Sequence, residues 1–124
     1  YGGFLTFLSM AHDEKPFEKG AALWGVTSLE HMGCHLPMAY PSDPVEKQEA
    51  KMKRNPLHLA RNIQRPLLVL HGGLDTMSTN EEVLTIKREI DKQEGLCEVI
   101  IYEEGAHGLA NYRKELFKEL LSFL

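Results

Sequence analysis

The chain has 124 residues, of which 43% are apolar and 26% are charged, an ordinary composition for one small globular domain. Its 14 basic and 18 acidic residues give a net charge of −4, which argues against a general nucleic-acid-binding surface. No apolar run approaches about 18 residues, and no basic segment precedes an apolar one, so the sequence predicts neither a membrane span nor a signal peptide within these residues.

The cysteines and histidines do not form a convincing disulfide or metal pattern. Two cysteines, Cys34 and Cys97, are too few for a disulfide framework, and a reduced, cytoplasmic environment is expected. His31 and His35 have the spacing at which two helical side chains share a face, but Gly33 interrupts such a helix and no second pair of ligands follows. We therefore predict neither a metal site nor another cofactor.

Helices and strands are predicted to alternate along the chain. Strands are predicted at three apolar segments, residues 20–25, 67–70 and 97–102. Helices are predicted at residues 3–12, at residues 45–54 with Asp43 as N-cap, after residue 80 and after Asn111. This alternation predicts an α/β fold of three layers, in which a parallel sheet with right-handed crossovers is flanked by helices.

Two helix signals assign roles to individual residues. The segment Ser78-Thr79-Asn80-Glu81 matches a capping box, in which a serine begins a helix and a glutamate follows three residues later. Asn111 is predicted to cap the last helix. The apolar residues of that helix expected to face the sheet are Leu116, Phe117, Leu120, Leu121 and Leu124.

Residues 66–75 read as a buried strand that ends in a loop carrying a carboxylate. Residues 67–70 are all apolar, which is typical of a strand covered on both faces. A pair of glycines then lets the backbone turn before Asp75, at the edge where an open α/β sheet binds its ligands. His71, at the end of the strand, is interpreted as a structural hydrogen-bonding residue.

His107 follows the strand at residues 97–102 in the way that Asp75 follows the earlier one. If the two strands are neighbours, both side chains lie at the same edge of the sheet although they are 32 positions apart (107 − 75). Taken singly, Asp75 could close a turn and His107 could be a solvated loop histidine. Together they favour a catalytic pair, because an acid that orients a histidine is two thirds of a nucleophilic triad.

Two segments resemble the prolyl oligopeptidase family of α/β-hydrolases. Residues 55–75 read N-P-L-H-L-A-R-N-I-Q-R-P-L-L-V-L-H-G-G-L-D, which is similar to the run that leads to the catalytic aspartate in that family. Residues 102–109, Y-E-E-G-A-H-G-L, resemble the loop that carries the catalytic histidine. The resemblance implies a serine-type peptidase in which Asp75 and His107 are catalytic.

The first residues, Tyr1-Gly2-Gly3-Phe4, resemble those that follow the nucleophile in the family's G-x-S-Y-G-G elbow. The resemblance places the serine immediately before Tyr1 and makes the backbone N–H of Tyr1 an oxyanion donor. It also makes Gly2 the small residue at which the helix passes close to the strand. The chain is then expected to be a partial hydrolase domain, residues 1–124, which contains the last three strands of the sheet and lacks the front half.

A third segment, Val26-Thr27-Ser28-Leu29, resembles the family's V-T-D-W at the same place, which faces the substrate. Val26 and Thr27 match that pattern and are the candidate substrate-binding residues. Ser28 and Leu29 depart from it, so the inherited substrate contacts are open to question.

Three functions remain open for the parent protein. One is a peptidase that acts on a peptide, and another is a carboxylesterase or dienelactone-type hydrolase that acts on a small ester with the same triad. The third is a non-catalytic binding module that keeps the fold. No nucleic-acid or membrane partner is expected. Two copies of the chain are expected to associate through the segment Ala21 to Gly25, because that strand presents unpaired backbone groups at a sheet edge.

Overall fold

A computed structural model describes residues 1–14, 16–29 and 44–124 of the chain. The helices and strands of these ranges follow in this order: α1 (Gly2–Met10), β1 (Gly20–Leu23), α2 (Pro44–Arg54), α3 (Pro56–Leu59), β2 (Leu67–Gly72), α4 (Asn80–Asp91), β3 (Cys97–Tyr102) and α5 (Arg113–Phe123). None of the helices in these ranges has the length and apolar character that crossing a membrane requires. The metal ligands and the cap considered at His31, Cys34, His35 and Asp43 lie outside the described residues.

The three described strands form one parallel sheet in the order β1-β2-β3. Ala22 lies opposite Val69, and Val69 lies opposite Val99, so the central strand sets the register of both neighbours. All residues of β2 are buried, as expected for an unbroken apolar strand covered on both faces. The predicted parallel α/β sheet is confirmed.

Helices cover both faces of this sheet and complete the three layers. On one face, Phe7 of α1 and Ile86 of α4 belong to the same buried cluster as Val69 of β2. On the other face, Leu116 of α5 packs in a second cluster with Leu70 of β2. Because successive side chains of a strand point to opposite faces, β2 contributes to both cores and fixes the position of the loop that follows it.

Helix α4 begins one residue later than the capping box predicted from the sequence. Thr79, rather than Ser78, is the N-cap: its hydroxyl accepts a hydrogen bond from the Glu82 amide at 3.2 Å. The Glu82 carboxylate in turn accepts one from the Thr79 amide at 2.8 Å. The prediction was wrong because the hydroxyl of Ser78 is hydrogen bonded to the hydroxyl of Thr27, a distant residue.

Helix α5 buries a narrower apolar stripe than predicted. Leu116 is 5% exposed, and Leu120 and Phe123 are partly buried against the sheet. Three residues expected to face the sheet are instead 67–75% exposed: Phe117, Leu121 and Leu124. Neighbouring residues of an α-helix are rotated by about 100° from one another, so a stripe centred on Leu116 and Leu120 turns the residue after each of them to solvent.

Asn111 does not cap α5, contrary to the prediction. It lies in a 3-10 turn, Ala110–Tyr112, and Tyr112 occupies the N-cap position without a side-chain capping bond. The turn follows Leu109, which is 1% exposed and has a left-handed φ of 47°. The start of α5 is therefore set by the buried side chain of Leu109 rather than by a polar cap.

Helix α1 and the end of β1 touch through two glycines. A Cβ atom on Gly3 would lie 2.4 Å from the Cα of Gly25, and a Cβ atom on Gly25 would lie 2.6 Å from the carbonyl carbon of Gly3. A Cβ atom on Gly2 would meet nothing within 4 Å. In this chain the close approach expected at Gly2 is therefore made by the next residue, Gly3.

Replacing Gly3 by alanine should destabilise the fold, whereas the same change at Gly2 should not. The Gly3→Ala methyl group meets backbone atoms that cannot move independently, and we expect a loss of about 1–3 kcal/mol of unfolding free energy, typical of overpacking. Gly2→Ala adds helix propensity in open space and should be neutral or stabilise by up to about 1 kcal/mol. Urea unfolding of both variants measures the difference, and equal stabilities would contradict the contact.

Candidate active site

Two loops leave the carboxyl edge of the sheet side by side. The acid loop (residues 73–78) follows β2, and the histidine loop (residues 103–108) follows β3. Strands β2 and β3 are parallel and pair through their last residues, Gly72 opposite Tyr102. The sheet therefore delivers both loops to the same edge, as the sequence predicted.

The two loops are joined by main-chain hydrogen bonds. The Gly73 amide donates to the Tyr102 carbonyl at 2.8 Å, and the Leu74 amide donates to the Gly105 carbonyl at 2.9 Å. The amide of Gly105 also donates to Tyr102, at 2.8 Å. The first two bonds extend the β2–β3 pairing past the ends of the strands and join the loops, and the third closes the turn at the start of the histidine loop.

Glycines make this contact possible. A Cβ atom on Gly72 would lie 2.4 Å from the Gly105 carbonyl oxygen, and one on Gly73 would lie 2.4 Å from the Glu103 carbonyl oxygen. Both positions meet backbone atoms, so a side chain at either would force the loops apart. The glycine pair was recognised in the sequence as a turn, but its role in the approach of the second loop was not.

The carboxylate of Asp75 and the imidazole of His107 meet at this junction. Asp75 Oδ2 accepts a hydrogen bond from His107 Nδ1 at 2.9 Å, and Asp75 Oδ1 accepts one from the Met77 amide at 2.8 Å. The Asp75 side chain is 1% exposed, whereas that of His107 is 41% exposed. The predicted hydrogen bond is present, with the acid buried and the base open to solvent.

This geometry fixes which ring nitrogen of His107 can act as a base. The carboxylate of Asp75 is an acceptor, so Nδ1 carries the proton and Nε2 of the neutral ring holds a free electron pair. Among the described residues, Nε2 has no hydrogen-bond partner. The pair can take up a proton at Nε2 and stabilise the resulting imidazolium with the buried carboxylate.

His71 lies behind this pair and is completely buried. Its Nε2 donates to the main-chain carbonyl of Ser78 at 3.1 Å, so its interpretation as a structural hydrogen-bonding residue is confirmed. Burial lowers the pKa of the His71 imidazole, and the nearby Asp75 charge opposes that shift. Its Nδ1 is buried without a hydrogen-bond partner among the described residues.

The loop after β1 does not offer the two expected side chains to a substrate. Val26 is 5% exposed and Thr27 is 0% exposed. The Thr27 hydroxyl is hydrogen bonded to Ser78, and the Thr27 carbonyl accepts the Leu57 amide at 3.0 Å. This burial argues against direct substrate contact for either residue and gives Thr27 a place inside the fold.

Tyr1 and Gly2, the predicted oxyanion and elbow residues, begin α1. Tyr1 is 61% exposed, its carbonyl accepts the Leu5 amide at 3.0 Å, and its ring lies 5.5 Å from that of Phe4. Gly2 is also exposed. Their roles in catalysis remain predictions.

Tyr102 supports the histidine loop and was not singled out in the sequence. Its ring contacts that of Tyr112 with centroids 4.7 Å apart, and its carbonyl accepts from both loops. Burial raises the pKa of the Tyr102 phenol, and the charges of Glu119 and Glu115 add to the shift. Its place in the sequence, an aromatic residue at the last position of a strand, was a signal from which this supporting role could have been predicted.

The fold and the site together define the class of protein. A parallel sheet with an acid and a histidine in the loops after adjacent strands is the arrangement of the α/β-hydrolases. The model of the prolyl oligopeptidase family matches residues 1–124, so the chain belongs to this family. The resemblance seen in the sequence is confirmed.

Individual proteins are similar to the chain in sequence or in structure. A Salmonella typhimurium protein with the name "Putative carboxymethylenebutenolidase" is 25% identical over 114 residues, which cover 91% of this chain and 36% of that protein. Dipeptidyl peptidase 4 from Porphyromonas gingivalis superposes with a TM-score of 0.80 at 20% identity, covering 99% of this chain and 18% of its own. An esterase from Pyrococcus furiosus gives a TM-score of 0.72 at 18% identity, covering 98% of this chain and 49% of its own. The chain thus spans only 36% of the first of these relatives.

A methyl group at Gly73 should separate the two loops. In Gly73→Ala, the new Cβ atom displaces the Glu103 carbonyl, so the hydrogen bond from the Leu74 amide to Gly105 should weaken. We expect amide hydrogen exchange at Leu74 to accelerate by about 10- to 100-fold, the equivalent of roughly 1–3 kcal/mol of overpacking strain. Thr76→Ala, an exposed change in the same loop, is the matched control, and unchanged exchange in Gly73→Ala would refute the contact.

Proposed function

We propose that the chain supplies the acid and the base of a serine hydrolase, and that the whole protein is a serine-type peptidase. One observation carries the proposal: the hydrogen bond from His107 Nδ1 to the buried carboxylate of Asp75. It leaves Nε2 of a partly exposed ring as the proton acceptor. Membership of the prolyl oligopeptidase family supports the same chemistry.

In the proposed reaction, the nucleophile is a serine immediately before Tyr1. His107 takes the serine proton at Nε2 as the hydroxyl attacks a carbonyl, and it later returns that proton to the leaving group. Asp75 stays ionised and stabilises the imidazolium. The main-chain N–H of Tyr1 donates a hydrogen bond to the oxyanion. The assignment of Tyr1 and Gly2 rests on the resemblance of Tyr1-Gly2-Gly3 to the family's elbow.

An esterase or dienelactone-type hydrolase is the second candidate. The relatives named for a carboxymethylenebutenolide and for an ester favour it, and the triad chemistry is the same. Peptide and ester hydrolysis differ in the leaving group, because an amine must be protonated as it departs whereas an alkoxide leaves more readily. The relative rates on an amide and an ester of the same acyl group therefore separate the two candidates.

The whole protein should lose its activity when either member of the pair is replaced. We expect Asp75→Asn and His107→Gln to lower kcat by about 10⁴-fold, as removal of a triad member does. The assay uses matched chromogenic amide and ester substrates. Glu104→Gln, an exposed change in the histidine loop, is the control. Full activity in both variants would exclude a hydrolase that uses this pair and would favour a non-catalytic binding module.

The 124 residues alone should be inactive. Since the proposed nucleophile precedes Tyr1, the isolated chain does not contain the serine that the Asp75–His107 pair is proposed to activate. We expect no turnover of an activated ester above the rate of a His107→Ala variant. Turnover that His107→Ala abolishes would place the nucleophile within these residues and refute its assignment before Tyr1.

We also propose that two copies of this chain associate through β1. Within the described residues β1 pairs only with β2. The Gly20 amide donates to the Pro66 carbonyl at 3.0 Å and the Trp24 amide donates to the Leu70 carbonyl at 2.8 Å, so by alternation the N–H and C=O groups of Ala21 point to the open edge. There the Ala21 carbonyl accepts a long hydrogen bond, at 3.5 Å, from the Thr6 hydroxyl. An identical strand can satisfy these groups, and the exposed side chains of Leu5 and Phe17 add apolar surface beside a groove of about 300 Å³.

Replacing Ala21 tests this association. Ala21→Pro removes an outward-facing donor and keeps the hydrogen bonds from Gly20 to Pro66 and from Trp24 to Leu70, so the isolated chain should become monomeric. Ala21→Ser retains the donor and should associate as the unchanged chain does. Analytical ultracentrifugation measures the oligomeric state of both variants and of the unchanged 124-residue chain. A monomeric unchanged chain, or an Ala21→Pro variant that still associates, would contradict the proposal.

A further inference from the structure

A cluster of buried, hydrogen-bonded polar residues lies behind the Asp75–His107 pair, and the proposed reaction does not use it. It consists of His71, Ser78 and Thr27, which are 0%, 3% and 0% exposed. His71 Nε2 donates to the Ser78 carbonyl at 3.1 Å, and the Ser78 and Thr27 hydroxyls are hydrogen bonded to each other. This buried polar cluster therefore connects the end of β2, the end of the acid loop and the loop after β1.

Burying the His71 imidazole at this position costs free energy, because its ring nitrogens are removed from water. The rest of β2 is apolar apart from its final glycine, and a leucine at position 71 would be buried without the cost of desolvating two ring nitrogens. Only one of those nitrogens has a partner among the described residues, since Nδ1 is buried without one. Among the described residues, the bond to Ser78 is the one hydrogen bond that offsets this desolvation cost.

That bond closes the base of the acid loop. His71 stands four residues before Asp75, and Ser78 stands three residues after it. The amide of Met77, within the same loop, donates to Asp75 Oδ1. Holding the Ser78 carbonyl against β2 thus fixes the segment that orients the carboxylate, and the Thr27 hydroxyl fixes Ser78 from the other side.

We propose that His71 is a positioning residue, which closes the acid loop through the Ser78 carbonyl so that the Asp75 carboxylate stays aimed at His107. The inference deepens the proposed hydrolase function and rests on it. His71 neither touches a reacting atom nor exchanges a proton in the reaction. Its contribution is the N–H donor at Nε2, which any neutral donor of the same reach can replace.

Two substitutions of His71 separate the donor from the ring. In the whole protein, His71→Leu should lower kcat by about 10- to 100-fold with little change in KM, the size of effect that a small misplacement of a catalytic group produces. His71→Gln places an amide N–H near the position of Nε2 and should restore most of that loss. A loss of kcat in His71→Leu that His71→Gln does not restore would overturn the donor role.

The tautomer of His107 provides a readout that needs no activity. Long-range ¹H–¹⁵N correlation spectra of the 124-residue chain, recorded where the ring is neutral, identify the nitrogen that carries the proton. We expect the proton on Nδ1 in the unchanged chain and in His71→Gln, and a mixture of tautomers in His71→Leu. An unchanged Nδ1–H tautomer in His71→Leu would overturn the inference.

Two further measurements keep the outcomes distinct. If circular dichroism shows that His71→Leu does not fold, Thr27→Val tests the same buried polar cluster. This substitution removes the hydroxyl that holds Ser78 and nearly keeps the side-chain volume. Thr27→Val should also mix the His107 tautomers, and an unchanged tautomer would overturn the inference. If Asp75→Asn leaves kcat of the whole protein unchanged, the proposed function fails, whereas the tautomer spectra still decide whether His71 positions the carboxylate.

Discussion

Direct main-chain contact between the acid loop and the histidine loop is the constraint on which the site depends. The Leu74 amide reaches the Gly105 carbonyl at 2.9 Å only because Gly72 and Gly73 have no side chains to hold the loops apart. The separation of Asp75 and His107 is then set by the spacing of two parallel strands, about 4.8 Å, rather than by flexible loops. A site built in this way is as rigid as the sheet that carries it.

Burial divides the roles of the two side chains. The Asp75 carboxylate has been removed from water and compensates with two hydrogen bonds, one to each oxygen. Rotation of the carboxylate would break both, so its orientation is fixed. The His107 ring keeps one nitrogen against this carboxylate and leaves much of its surface open. A buried orienting acid and an accessible base are what proton transfer to and from a bound substrate requires.

The features predicted correctly from the sequence are those with local signals. β3 was predicted at its observed bounds, Cys97–Tyr102, because a β-branched run between polar turns identifies a strand without knowledge of its neighbours. Two helix details were wrong: the N-cap of α4 is Thr79 rather than Ser78, and Phe117, Leu121 and Leu124 of α5 are exposed although Leu116 and Leu120 face the sheet as predicted. Each of those choices depends on a partner elsewhere in the fold: Thr27 takes the Ser78 hydroxyl, and the sheet selects one stripe of α5. Neighbouring residues in the sequence cannot supply that information.

The same reasoning explains why Thr27 was assigned to the substrate rather than to the interior. Thr27 was assigned to the substrate because Val26-Thr27 matches the family's V-T-D-W, and such a match does not reveal whether the threonine hydroxyl points outward or inward. The structure turns it inward, where it pairs with Ser78 below Asp75. The carboxyl edge therefore has two levels, an outer one where His107 meets solvent and an inner one of buried polar groups. A buried hydroxyl without a hydrogen-bond partner costs free energy, so the stability of each inner residue depends on the others. The hydrogen bond between Thr27 and Ser78 makes two residues that are 51 positions apart in the sequence depend on each other in this way.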